Sequence, residues 1–218
     1  LGDVSFMKQS VEKIKKNVVR MSPNNNYLQF VTYSGHNPFK LPEALQQIHF
    51  KGDYPERMRD YMIMAHYTDK AIGIIVDYLK SRPDNKNTLI VITGDHEGLA
   101  ADRASLCQSA VGKGVVSPQQ FTPFIVLNSP KGMRYNEVMG QIDMYPTILS
   151  LLQMNNYAWK GMGQTIFDSR KAPIAISPNG EVVGNTNGVS AQEISRLKRA
   201  WHISDLMLRF NKMPSQKK

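Results

Sequence analysis

The chain has a single cysteine among its 218 residues, Cys107. No internal disulfide can form, and no cysteine cage for a metal can be built. No apolar run approaches the ~20 residues needed to span a bilayer, and no stretch has the layout of a secretory signal. There is no internal repeat and no low-complexity segment. An initiator methionine is also missing: Leu1 stands directly before a helix-like pattern. The expectation is that the sequence is a piece of something longer.

Acidic residues are in short supply. Lys and Arg number 27 against 18 Asp and Glu, a formal net charge of +9. Such a balance suits nucleic acid or an anionic membrane surface. The basic residues are dispersed, however, with small clusters at Lys13-Lys15-Lys16, Arg196-Lys198-Arg199 and Lys217-Lys218. No nucleic-acid motif accompanies them, so nucleic acid is not expected as a partner. The apolar fraction of 41% is spread along the whole length, enough for one large domain or one domain with a small appendage.

Periodicity places the elements. Met7, Val11, Ile14, Val18 and Met21 recur at helical spacing, predicting a helix over about residues 5–21, broken at Asn24-Asn25-Asn26. Tyr27 to Tyr33 reads as a buried strand. Pro42 to Tyr54 shows no period and is expected to be loop. A long helix is predicted over 56–80, with Met58, Met62, Ala65, Asp69, Ile72, Val76 and Leu79 on its buried stripe. Strands follow at 88–93 and 121–127, separated by a weakly patterned excursion over 99–120. A short helix is expected at 143–152. Ile174-Ala175-Ile176 and Glu181-Val182-Val183 form a predicted hairpin across Pro178-Asn179-Gly180. Ser190 caps a final helix running to about Asn211, and the tail after Pro214 is expected to be disordered. Strands alternating with helices argue for an α/β sheet with helices on both faces.

Chemistry is concentrated where strands end. The apolar run Leu89-Ile90-Val91-Ile92 leads into Thr93-Gly94-Asp95-His96-Glu97-Gly98. A carboxylate and a neutral imidazole are oxygen and nitrogen donors for a divalent cation such as Zn²⁺ or Mn²⁺. Open α/β sheets carry their sites outside the carboxyl ends of strands. Adjacent residues on a regular strand point apart, so Asp95 and His96 can share an ion only if the chain turns between them. Capping of the next helix is the alternative use of that pair. His36 follows the earlier strand in the turn Ser34-Gly35-His36-Asn37-Pro38-Phe39. There it could hold an anionic oxygen, act as general acid or complete a metal site, or simply be solvated. Asp69, if it lies on the apolar stripe, needs a hydrogen-bonding partner. His66 and Thr68 are taken as packing beside it. Asp143 is expected as an N-cap or first-turn acid, and His49, His202 and Cys107 carry no signal.

These segments occur in a recognisable order. Val31 to Phe39 comes first, then Tyr67-Thr68-Asp69-Lys70-Ala71-Ile72-Gly73, then Asn87 to His96. Thr122-Pro123-Phe124-Ile125-Val126 and Gln141-Ile142-Asp143-Met144-Tyr145-Pro146-Thr147-Ile148-Leu149 complete the series. Together, over about residues 5–170, they resemble the sulfatase-like branch of the alkaline phosphatase superfamily. The likeness is to the lipoteichoic acid synthase and phosphoglycerol transferase group.

The resemblance implies a metal-activated hydroxyl nucleophile acting on a phosphate or sulfate ester. Asp95 and His96 would be metal ligands, for one divalent ion, Mn²⁺ first and Zn²⁺ or Mg²⁺ as alternatives. His36 would meet the substrate's phosphate head group, while Asp69 and Asp143 match framework positions. Glu97 stands where many relatives carry Tyr or Gly. The family's Glu ligand and its nucleophile lie upstream of what Leu1 begins, and Thr32, Ser34 and Thr93 do not occupy the nucleophile's position. No Cys/Ser-x-Pro-x-Arg signature is present.

The implied fold is an alkaline-phosphatase-like sheet with helices on both faces and its amino-terminal strands missing. It would comprise a catalytic-domain part at 1–170 and a small hairpin and terminal helix at 171–218. The implied activity is phosphoglycerol transfer from a lipid donor in cell-envelope synthesis, with sulfate ester hydrolysis as the alternative. A further alternative is an inactive metal- or anion-binding fragment. Expected partners are an anionic lipid or ester substrate and the missing amino-terminal part of the same protein. That part would provide the membrane attachment and place this domain on the outer side of the cell membrane, extracellular or periplasmic.

Overall fold

The computed structural model describes residues 2–18, 21–22, 25–154, 156–157 and 160–210. The expected tail after Pro214 and the end of the last helix at Asn211 lie outside them. The chain divides into two compact units, Leu1–Asn128 and Ser129–Lys218. The first holds helix α1 (Asp3–Lys15), helix α2 (Glu56–Ser81), strand β1 (Ile90–Thr93), the short helix α3 (Arg103–Gln108) and strand β2 (Phe124–Leu127). The second holds helix α4 (Met144–Leu151), strands β3 (Ile174–Ile176) and β4 (Val182–Gly184), and helix α5 (Ala191–Arg209).

Helix α1 stops well short of the expected residue 21. Asn17 adopts a left-handed φ of 53°, its N–H donates to the Ile14 carbonyl, and Val18 N–H donates back to Lys13. Those two bonds satisfy the last carbonyls and turn the chain out of the helix. Met7, Val11 and Ile14 are buried as the periodicity predicts, but Val18 is exposed. They pack with Ala71 and Ile75 of α2, with Leu28 and Phe30 against the same cluster.

Helix α2 matches the prediction almost residue for residue, yet its buried face is rotated. Met58, Ile63, Met64, Tyr67, Ala71, Ile75 and Val76 are buried, while Ala65 and Asp69 face outward. The helix carries two overlapping apolar rows, and the row completed by Tyr67 and Ala71 meets α1. Asp69 is therefore a solvated acid with no buried charge to satisfy, which corrects the expectation of a partner beneath the site.

Tyr27 to Tyr33 does not form a buried strand. Its side chains alternate, Leu28, Phe30 and Thr32 turned inward and Tyr27, Val31 and Tyr33 exposed, which is the period-two pattern of extended chain. Among the described residues no strand pairs with it. β1 and β2 pair antiparallel, with Ile90 opposite Leu127 and Thr93 opposite Phe124. β3 and β4 form the expected hairpin, closed by Glu181 O accepting from Ser177 N–H and by Gly180 at a φ of 78°. The strands thus make two small antiparallel sheets in a mixed helix and strand fold. The helix-flanked single sheet needs more paired strands than these described residues provide.

In the second unit Ser190 caps α5 as predicted, its Oγ accepting from Glu193 N–H at 3.1 Å. Leu197 and Ala200 of α5 and Ile174 of β3 are buried where helix and hairpin pack. Among the described residues no helix is long and apolar enough to cross a membrane.

Candidate metal pair and histidine loop

β1 ends at Thr93, and the chain bends at Asp95 and His96. That bend resolves the problem of adjacent residues pointing apart. Asp95 Oδ1 accepts from the backbone N–H of His96 at 2.9 Å, and Oδ2 stands 3.5 Å from His96 Nε2. His96 Nδ1 lies 2.8 Å from the Glu97 carbonyl oxygen. A carbonyl only accepts, so Nδ1 carries a proton, and a ring holding that proton alone has its lone pair at Nε2. Both side chains face solvent, Asp95 87% and His96 69% exposed. This is not a helix cap, because the next helix, α3, begins only at Arg103.

The pair fits a divalent cation as part of a ligand set. Oδ2 and Nε2, 3.5 Å apart, are near enough to serve one ion, and a carboxylate with an imidazole is a donor set that such cations take. The backbone carbonyl behind Nδ1 is the usual second partner of a metal-binding histidine. Among the described residues, no group of three or more His, Cys, Asp or Glu side chains comes together. Any further donors would be water, substrate or residues outside those described.

His36 is held in the same manner. Its Nδ1 lies 2.9 Å from the Asn37 carbonyl, leaving Nε2 outward, and its ring stacks on Tyr33 with centroids 5.7 Å apart. A cis Asn37-Pro38 bond and a φ of 61° at Phe39 follow, and the Phe39 ring is buried.

The foundation of this loop was not visible in the sequence. Asp3, 2% exposed, accepts from Tyr33 N–H through Oδ1 at 2.9 Å and from Ser34 N–H through Oδ2 at 3.0 Å. Its own N–H donates to Ser34 Oγ at 3.0 Å. An acid in a helix's first turn ordinarily reads as a local cap, and nothing in its neighbours signals a partner some thirty residues away. Beneath Gly35 lies Thr68 Oγ1, a buried hydroxyl without a partner among the described residues.

Both loops are fastened to the amino-terminal half of α2. Phe39 meets Tyr61 edge-on at 5.2 Å, and Leu99, three residues past His96, packs on the same cluster of Phe39, Met64 and Tyr67. Gly98 passes so close to the Tyr61 ring that a Cβ there would collide with it. Lys40 donates to Glu56 at 2.7 Å and to Asp60. Those two carboxylates, Asp60 foremost, hold its ammonium above the ordinary lysine value. Glu97 accepts from Arg103 and from Gln120 Nε2, closing the excursion after His96 onto its own base.

Of the hydroxyls near these segments, Ser34 Oγ accepts from the Asp3 N–H at 3.0 Å, and Thr93 Oγ1 donates to the Gly94 carbonyl at 3.3 Å. Asp143 proves to be more than a first-turn acid. Its carboxylate accepts from Gly140 N–H at 3.0 Å and Gln164 N–H at 2.9 Å, and lies 3.3 Å from the buried Lys171 ammonium. These contacts tie the start of α4 to Gly140, Gln164 and Lys171 within the second unit.

The family described as Sulfatase matches residues 3–154. Lipoteichoic acid synthase-like YvgJ of Bacillus subtilis is 26% identical over 194 residues, covering 85% of this chain and 31% of that protein. Lipoteichoic acid synthase 2 of the same organism is 26% identical, covering 84% of this chain and 28% of its own length. Lipoteichoic acid synthase of Staphylococcus aureus is 26% identical, covering 72% and 25%. The chain thus spans between a quarter and a third of these relatives.

Proposed function

This chain belongs to the sulfatase family, and from that premise we propose that it contributes to metal-dependent transfer at a phosphate ester in cell-envelope synthesis. The preferred reaction is phosphoglycerol transfer from a lipid donor, the activity implied by the family resemblance of the sequence; relatives named lipoteichoic acid synthase support its setting in cell-envelope synthesis. The observation that carries this reading is the Asp95 Oδ2 to His96 Nε2 spacing of 3.5 Å, with His96 Nδ1 committed to a backbone carbonyl.

In this reading Asp95 and His96 hold one divalent ion, Mn²⁺ in preference to Zn²⁺ or Mg²⁺. A bound cation of this kind lowers the pKa of an attached hydroxyl and neutralises charge on the ester oxygens. His36 binds the anionic head group. Its Nδ1 bond to Asn37 and its stacking on Tyr33 fix the ring, so that Nε2 is the atom presented to the phosphate. Protonated, Nε2–H donates to a phosphate oxygen; neutral, it can take a proton from one. The remaining metal ligand and the nucleophile belong to sequence outside this chain. That sequence would also carry the membrane attachment and set the domain on the outer face of the cell membrane.

Sulfate ester hydrolysis is the second reading, favoured by the family match itself. With no third His, Cys, Asp or Glu grouped with it among the described residues, the Asp-His pair also suits a domain that binds metal or anion without turnover.

The decisive measurement is Mn²⁺ binding followed by electron paramagnetic resonance, with glycerol 3-phosphate titrated by NMR. Mn²⁺ should bind weakly and reversibly, be lost in Asp95→Ala and His96→Ala, and survive in His36→Ala. Glycerol phosphate should shift the His36 resonances. Mn²⁺ binding unaffected by Asp95→Ala would defeat the assignment.

A further inference from the structure

The two loops that carry the candidate site are far apart in sequence, and a single guanidinium reaches both. Arg57, in the first turn of α2, donates through Nη1 to Asn37 Oδ1 at 2.9 Å, the residue next to His36. Through Nε it donates to Asp102 Oδ2, in the segment that leaves Asp95 and His96. Its guanidinium also lies over the Phe39 ring, 5.2 Å from the centroid. The partners stand 20 and 45 residues away along the chain. Asp102 is followed by Arg103, whose pair with Glu97 brings this connection to the residue after His96.

We propose that Arg57 is a positioning residue that keeps the His36 loop and the Asp95-His96 segment in register with each other. The apolar contacts of Phe39 and Leu99 already press both segments onto α2. Apolar contacts set how deep a loop sits but are non-directional, so they leave its rotation free. Hydrogen bonds are directional, and those to a charged group are the stronger kind. A planar guanidinium can serve two acceptors at a fixed angle, so Asn37 and Asp102 are placed relative to one another through one rigid group. A lysine ammonium at the end of a flexible stem cannot impose that angle. The pair is partly open to water, with side chains 39% and 30% exposed. Its contribution is therefore to local order more than to global stability.

The inference rests on the functional reading above only in what the register is for, and the test separates the two. Backbone hydrogen exchange is measured for wild type, Arg57→Gln and Arg57→Lys. In Arg57→Gln, residues 34–41 and 97–106 should both exchange about tenfold faster, as expected for local opening after loss of charge-assisted bonds, with α1 unchanged. Arg57→Lys should restore protection in one segment at most. If only one segment responds to Arg57→Gln, or neither does, the proposal is overturned.

The second arm measures how far Mn²⁺ tightens glycerol 3-phosphate binding. In wild type the factor should exceed one; in Arg57→Gln it should fall to one while each ligand still binds by itself. A factor that survives in Arg57→Gln also overturns the proposal. Absence of Mn²⁺ binding in wild type would count against the functional reading, and the exchange result would still decide the role of Arg57.

Discussion

Replacing Asp3 by alanine tests the structural foundation of the His36 loop. The carboxylate is almost wholly enclosed and accepts two backbone N–H groups, Tyr33 and Ser34, at 2.9 and 3.0 Å. A hydrogen bond to a charged group contributes about 1.5–3 kcal/mol. Two of them set an upper value near 6 kcal/mol on that scale, if both amides stayed dry after the change. They sit in a partly buried position, and water entering the vacated space would rehydrate them, so we expect a loss of about 2–4 kcal/mol. Asp3→Asn retains one acceptor oxygen but turns an NH₂ toward the other amide, and should recover less than half of the loss. Urea denaturation followed by far-UV circular dichroism gives the stability change. Amide exchange at Tyr33 and Ser34 reports the loop directly, and both amides should lose protection together. A stability within 1 kcal/mol of wild type with protection retained at both amides would refute the clamp.

Asp143→Ala should destabilise the second unit by about 3–5 kcal/mol, because it strands the buried Lys171 ammonium. Asp143→Ala combined with Lys171→Met should cost less than the two separate losses added together, read from tryptophan fluorescence, Trp201 lying on α5 of that unit. A different check concerns pH. Asp168 is held down at about 2 by its side-chain bonds from Arg170, then by the Arg170 backbone N–H. Its folded pKa is below the unfolded value, so whatever it contributes is present above about 4 and is lost as pH falls through about 2. In Arg170→Gln, the NMR titration midpoint of Asp168 should rise toward the ordinary carboxylate range; an unchanged midpoint would exclude Arg170 as the cause.

The placement of the candidate site residues could be read from local pattern. Asp95 and His96 were legible because an apolar run followed by Gly-Asp-His marks a strand end, and His36 because it sits in a Gly/Asn/Pro turn. The hairpin at Ile174 and the Ser190 cap were legible for the same reason: turn and cap chemistry is confined to a few neighbouring residues. The face of α2 was misjudged, since two overlapping apolar rows give no local basis for choosing which meets α1. Asp3, Arg57 and Lys171 carried no signal at all, as a charged residue with a distant partner looks the same in sequence as a solvated one.

The sequence by itself determined where the four longer helices lie, though not the short α3 inside the 99–120 excursion, which segments are extended and which donor atoms stand at a strand's end. Those features depend on spacings of a few residues and on side-chain chemistry next to the backbone. Tertiary structure alone decided that Asp95 Oδ2 and His96 Nε2 converge to 3.5 Å. It also decided that one guanidinium joins the two loops, and that a helix's first acid holds up the histidine. Each of these needs groups distant along the chain, or a bend between adjacent ones. A bend or a long-range contact depends on the path of the folded backbone, which no local periodicity records.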